Sequence, residues 1–152
     1  MDPLEQLLAE HACRRLITDF VHRLDLGDPG SVAELFTEDG SWAWPPPGDG
    51  RRVGGRPALR AYFGSRPAGR LSRRLMSNVL VTVTGADTAT AVSYFSTHRV
   101  DGHAGGLMSA GPPVQVGHYE DLFRRVDDRW LIAARTLHLA FGGPTPPASQ
   151  AG

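Results

Sequence analysis

The chain has 152 residues, 41% of them hydrophobic, which fits one domain with a real core. Sixteen acids balance sixteen bases and every base is arginine, so Schiff-base, Walker A and pyridoxal-phosphate chemistries are excluded and nucleic acid is not an expected partner. The single cysteine, Cys13, cannot form an intrachain disulfide, and no apolar run approaches the ~20 residues of a membrane helix. The acidic start MDPLEQLLAEH lacks the basic and apolar segments of a signal peptide, so a cytoplasmic protein is expected.

Leu4, Leu7, Leu8, Leu16, Ile17, Phe20, Val21 and Leu24 recur at helical spacing and predict one amphipathic helix from about Pro3 to Leu26. GDPGS (27–31) reads as a turn, with Ser31 capping a short helix, VAELF, that ends near Thr37. SWAW (41–44) reads as a short strand stopped by Pro45, Pro46 and Pro47. RRVGG then leads into a helix from Pro57 to about Phe63. From Leu71 the period changes to two, and four long strands follow, with turns at 85–87 and 127–128. The glycine-rich connection 101–113 is expected to be a mobile loop and a candidate lid. Residues 1–141 form the domain, and 142–152 are expected to be a disordered Gly/Pro-rich tail. Helices first and a long, mainly antiparallel sheet afterwards make the fold class α+β.

Asp25 lies four residues after Val21, on or beside the buried stripe, where a carboxylate needs a partner, a capping role or a chemical one. Its place near the helix end at Gly27 also allows it to meet solvent or cap the next turn. Charge is uneven along the chain. Residues 1–50 hold ten acids against three arginines, whereas 51–74 hold eight arginines and no acid. That basic segment suits a phosphate, a coenzyme A tail or an acyl carrier protein, or else it pairs with the acidic N-terminal third.

The ordered segments RLDLGDPGSVAELFTEDGSW (23–42), GGRPALRAYF (54–63), SNVLVTVTGADTATAVSYF (77–95) and GHYEDLFRRVDDRWLIAART (117–136) resemble the SnoaL-like branch of the NTF2-like superfamily. The resemblance implies a cone, in which a strongly curved mixed sheet wraps the N-terminal helices and encloses an apolar pocket. In dehydratase-like members an aspartate ending the first helix pairs with a histidine from a central strand, and the resemblance places these at Asp25 and His98. Such a pair would fix the imidazole tautomer and raise its basicity. A second histidine of those enzymes, in a pattern like Arg-His-x-x-x-Asn, is replaced here by Arg74, while Asn78 remains. Arginine is no proton acceptor, but it binds a carboxylate or stabilises an enolate; it also suits an outward ion pair.

Tyr119 alternates with Gly117 and Asp121 on a face that the resemblance directs into the pocket, as a hydrogen-bond donor or a core aromatic. Asp121 alternatively braces the first helix. Trp42, Trp44, Met76 and Tyr94 are candidate wall residues, and His138, which by simple alternation shares a face with Ile132, is a further one. The remaining histidines suggest no metal-ligand set, and neither metal nor cofactor is expected.

The expected activity is cofactor-independent acid–base chemistry on a hydrophobic, oxygenated small molecule, as in a cyclase, dehydratase or isomerase of polyketide-type natural-product biosynthesis. The alternative is a non-catalytic ligand-binding or oligomer-assembly module, such as the small subunit of a ring-hydroxylating dioxygenase. A homodimer formed through the outer sheet face is expected on the same resemblance.

Overall fold

Pro3 at the first helical position and a reciprocal box, in which the Asp2 side chain accepts the Glu5 backbone N–H at 2.9 Å and the Glu5 side chain accepts the Asp2 backbone N–H at 3.0 Å, start helix α1 (Pro3–Leu26). This is a computed structural model that describes residues 1–148. The buried stripe of α1 is Ala9, Cys13, Leu16, Ile17, Phe20, Val21 and Leu24. Leu4, Leu7 and Leu8, expected to belong to it, are exposed. A 3-10 helix, Pro29–Leu35, follows, and its cap is Asp28, which accepts from the Gly30 N–H at 3.1 Å, rather than Ser31.

Strand β1 (Phe36–Trp44) is longer than SWAW alone, since it starts directly after the 3-10 helix. Strand β2 (Arg51–Gly54) leads into helix α2 (Arg56–Gly64), and the four long strands are β3 (Leu71–Val83), β4 (Thr88–Val100), β5 (Gln115–Val126) and β6 (Arg129–Gly142). One mixed sheet results, ordered β2-β1-β6-β5-β4-β3, in which β1 and β6 pair in parallel and the other neighbouring strands pair antiparallel. This is the mainly antiparallel α+β cone expected from the resemblance, with α1 and α2 against the concave face.

The core joins Ile17, Phe20 and Leu24 of α1 to Phe36, Leu59, Phe63, Phe95, Phe123 and Ile132. Within it lies an ion pair with no exposure at either side chain: Arg135 Nε stands 3.4 Å from Asp121 Oδ1. That contact is close enough for charge attraction but is not an aligned hydrogen bond, and neither group's buried polar atoms find another partner among the described residues. The guanidinium is instead sandwiched between aromatic rings, 4.4 Å from the centroid of Phe20 and 3.8 Å from that of Tyr119. Burial raises the Asp121 carboxyl to about 6, against the opposing pull of Arg135.

Three bulges decide which side chains face inward. On β3 the register slips between Ser77 and Leu80, and Asn78 takes up the slip with φ 51°, a left-handed conformation that asparagine tolerates. Asn78 is therefore an exposed bulge residue rather than part of a pocket wall. On β6 the pairing jumps from Ile132 opposite Phe123 to Ala134 opposite Leu122, which leaves Ala133 as an extra residue. The jump inverts the alternation, so His138 faces outward although Ile132 faces the core. A third slip at Val116 and Gly117 brings β5 so close to β6 that a Cβ on Gly117 would collide with the His138 carbonyl.

Part of the expected disordered tail has a defined place. Ala148 N–H donates to Asp101 O at 2.7 Å, Asp101 N–H donates to Pro146 O at 3.0 Å, and Arg99 Nε donates to Thr145 Oγ1 at 2.8 Å. The rest of that tail, 149–152, lies outside the described residues.

Candidate functional site

At the open end of the cone a cavity of about 250 Å³ runs between the end of α1, α2 and the inner sheet face. One wall is aromatic. Trp42 and Trp44 come from β1, Tyr62 and Phe63 from α2, and Tyr119 from β5, with ring centroids 5.1 Å apart for Trp42 and Tyr62. The indole N–H groups of Trp42 and Trp44 are buried without an acceptor among the described residues. Donors in that state are commonly completed by water or a ligand.

The opposite wall is cationic, formed by Arg66 and Arg70 between α2 and β3, Arg74 on β3 and Arg99 on β4. Two of the four guanidiniums have carboxylate partners. Arg70 grips Asp101 through two nitrogens at 2.7 and 2.9 Å, which holds that carboxyl below its usual range. Arg74 pairs with Asp25 at 2.5 Å. Arg66 and Arg99 have no carboxylate partner among the described residues: Arg66 donates to Ser72 Oγ and to the Leu24 carbonyl, and Arg99 to Thr145. Burial first, and then repulsion from Arg74 and Arg70, lowers both of these arginines to about 10. Both stay charged at neutral pH, so the wall carries an unbalanced positive charge beside an aromatic surface.

Asp25 is behind this wall rather than in it. Its side chain is only 4% exposed and accepts from Ser72 Oγ at 2.7 Å, the Arg74 backbone N–H at 2.7 Å and the Arg74 guanidinium. The carboxylate that helical spacing left near the buried stripe thus ties the end of α1 to β3. It does not meet His98. Inward positions on β4 are Phe95, Thr97 and Arg99, and the period of two turns His98 to the outer face. There it borders a groove with Arg73 and the segment Met108–Val114. The expected Asp25–His98 dyad is not formed, and residues 108–113 of the candidate lid 101–113 line this outer groove, while no residue of 101–113 lines the cavity.

The other expected site residues divide. Trp42, Trp44, Arg74 and Tyr119 line the cavity; Met76 packs against the core beside it. Tyr94 is on the outer face and 52% exposed, and His138 is outward for the reason given by the β6 bulge. Arg66, Arg70 and Arg99 were not singled out by residue type. The arginine-rich segment was the available signal for the first two, and two-residue alternation from Phe95 was the signal for Arg99. Among the described residues no carboxylate or imidazole lines the cavity, whose ionisable side chains are four arginines and two tyrosines.

We expect His98→Ala to change stability by less than about 0.5 kcal/mol and to leave cavity binding unaltered, as for a partly exposed residue outside the site. Thermal denaturation together with a ligand titration checks this, and a lost binding signal would return His98 to the site.

The SnoaL-like domain model matches residues 5–136. No curated protein sequence matches the chain. Among solved structures, Rv3472 from Mycobacterium tuberculosis, a protein of unknown function, is 29% identical with a TM-score of 0.73, over 91% of this chain and 76% of that one. An NTF2-like protein with a cystatin-like fold from Novosphingobium aromaticivorans is 26% identical with a TM-score of 0.71, over 90% and 86% of the two chains. A hexachlorocyclohexane dehydrochlorinase, LinA type 2, is 13% identical with a TM-score of 0.73, over 92% and 90%, and shares the fold. With more than half its length matched, and with the helices, mixed sheet and cavity already described, the chain belongs to the SnoaL-like domain family.

Proposed function

We propose that the cavity binds a flat, hydrophobic small molecule carrying an anionic oxygen group, with the aromatic wall against its body and Arg66 and Arg99 on its charge. The observation that carries this reading is the surplus of two guanidiniums without carboxylate partners in a wall that holds no base. Arginine binds planar carboxylates through paired N–H groups, and desolvation in the cavity strengthens that contact. Tyr119 and the unpartnered indole N–H groups supply further donors to substrate oxygens. In functional terms this favours a ligand-binding module over a proton-transfer enzyme built on Asp25 and His98.

Tryptophan fluorescence provides the test, because Trp42 and Trp44 are in the wall. With 2-naphthoate as the probe, Arg66→Gln and Arg99→Gln should each weaken binding by roughly 10–100-fold, the loss of one charge-assisted contact of about 1.5–3 kcal/mol. Unchanged affinity in both variants would reject the assignment.

A second reading has its own observation. The Arg74 guanidinium both pairs with Asp25 and lines the cavity, so an anion that draws it away would free one carboxylate oxygen of Asp25 from its countercharge and make it a candidate general base. Cyclase, dehydratase or isomerase chemistry on an enolisable substrate would then run through Asp25, with the arginines stabilising the enolate. Under this reading Asp25→Asn abolishes turnover while naphthoate affinity is kept, and His98→Ala is silent. Full turnover in Asp25→Asn would exclude it.

A further inference from the structure

His118 and His138 are directly opposed residues of β5 and β6, and Glu120 follows His118 by two on the same outward face. The two imidazoles stack with centroids 4.7 Å apart and planes 17° from parallel. The Glu120 carboxylate straddles their edges: Oε1 is 3.3 Å from His118 Nε2, and Oε2 is 3.4 Å from His138 Nε2. His138 Nε2 is buried and has no hydrogen-bond partner among the described residues. None of the three residues lines the cavity, and nothing in the binding reading uses them.

The geometry points to a binding site for a divalent transition-metal ion of the Zn²⁺ type, held by His118, Glu120 and His138 on the outer sheet face. In a tetrahedral site with bonds of about 2.0–2.1 Å, neighbouring ligand atoms stand roughly 3.3–3.4 Å apart. Each imidazole Nε2 already stands at that length from one Glu120 oxygen, Oε1 for His118 and Oε2 for His138, and a set of one ligand atom from each residue lies within 4.8 Å of one another. Small rotations of the stacked rings close the remaining imidazole–imidazole edge. Three protein ligands then leave a fourth position open to water or to a group from another molecule. Two imidazoles and one carboxylate suit Zn²⁺, Ni²⁺ or Cu²⁺, whereas Mg²⁺ and Ca²⁺ favour all-oxygen sets.

This cluster could not be assembled from residue spacing. His118 and His138 are twenty positions apart, and it is the bulge at Ala133 that turns His138 to the face that carries His118. The expectation of no ligand set is corrected by that register.

Equilibrium dialysis of tag-free, chelator-treated full chain against Zn²⁺ and against Mg²⁺ tests the site. We expect one Zn²⁺ per chain, no saturable Mg²⁺ uptake, and a Zn²⁺-dependent rise in Tm, because the ion binds the folded site in preference to the unfolded chain. His118→Ala and His138→Ala should each weaken Zn²⁺ binding at least ~10-fold and remove the Tm rise, while naphthoate affinity is unchanged. Glu120→Gln provides a third variant that keeps both rings and should weaken binding in the same direction. Absence of saturable Zn²⁺ uptake overturns the site. So does uptake that persists equally in a His118→Ala/His138→Ala double variant, which would trace it to other groups.

Discussion

Arg135→Met is expected to destabilise the protein by about 3–5 kcal/mol, because it leaves the Asp121 carboxylate buried with no countercharge. For a chain of this size that is a fall in Tm of roughly 6–20 °C. The pair itself should be worth little. Desolvation of two charges offsets most of their attraction, and here the contact is poorly aligned and has no additional hydrogen bonds among the described residues. The double variant Asp121→Leu/Arg135→Met should therefore recover most of the loss. Chemical denaturation of the two variants separates the outcomes, and a double variant as unstable as Arg135→Met would mean that the pair is a net stabiliser.

The same carboxyl has a pH signature. Its value of about 6 in the folded protein exceeds the ordinary value of 3.8, so the folded state holds this proton more tightly. Its contribution to stability falls as pH rises from about 4 to about 6 and is level above that. Asp101, held low by Arg70, acts in the opposite sense, adding stability as pH climbs towards the ordinary carboxylate value. The difference between wild type and the double variant isolates the Asp121 effect.

Asp25→Ala is the second large expected effect. The carboxylate accepts from Ser72, from the Arg74 backbone and from the Arg74 guanidinium, and all three donors lose their acceptor together. A nearly buried arginine without its partner costs about 3–5 kcal/mol, and α1 loses its polar tie to β3. Asp25→Asn, which retains a carbonyl oxygen, should cost less than Asp25→Ala. A stability loss below about 1 kcal/mol in Asp25→Ala would mean that Asp25 is not held as described and is free for chemistry.

The contrast between Asp25 and His98 shows how far the sequence could be read. Helical spacing correctly marked Asp25 as a carboxylate in an awkward place, and the change of period at Leu71 marked the strands. The resemblance pairs Asp25 with His98, but on a strictly alternating strand one position separates the outward His98 from the inward Arg99, and the donors that meet Asp25 come from Ser72 and Arg74 of β3. Register errors of this kind grow where bulges occur. Ala133 inverts the face of His138 without any signal beyond an ordinary strand residue, and Asn78, whose residue type tolerates a positive φ, sits on a slip rather than in the wall. The arginine-rich segment was legible as unusual, but not its direction. Arg60 reaches Glu34 of the acidic N-terminal third, whereas Arg66, Arg70 and Arg74 turn to the cavity.

The central claim is that the cavity selects an anion on a hydrophobic body. Comparing the affinities of 2-naphthoate and 2-naphthamide by tryptophan fluorescence tests it most directly, since the two probes share one shape and differ in charge. The arginine wall predicts that the carboxylate binds at least ~10-fold more tightly and that Arg66→Gln/Arg99→Gln removes the difference. Equal affinity for the acid and the amide in the wild-type protein would contradict the claim.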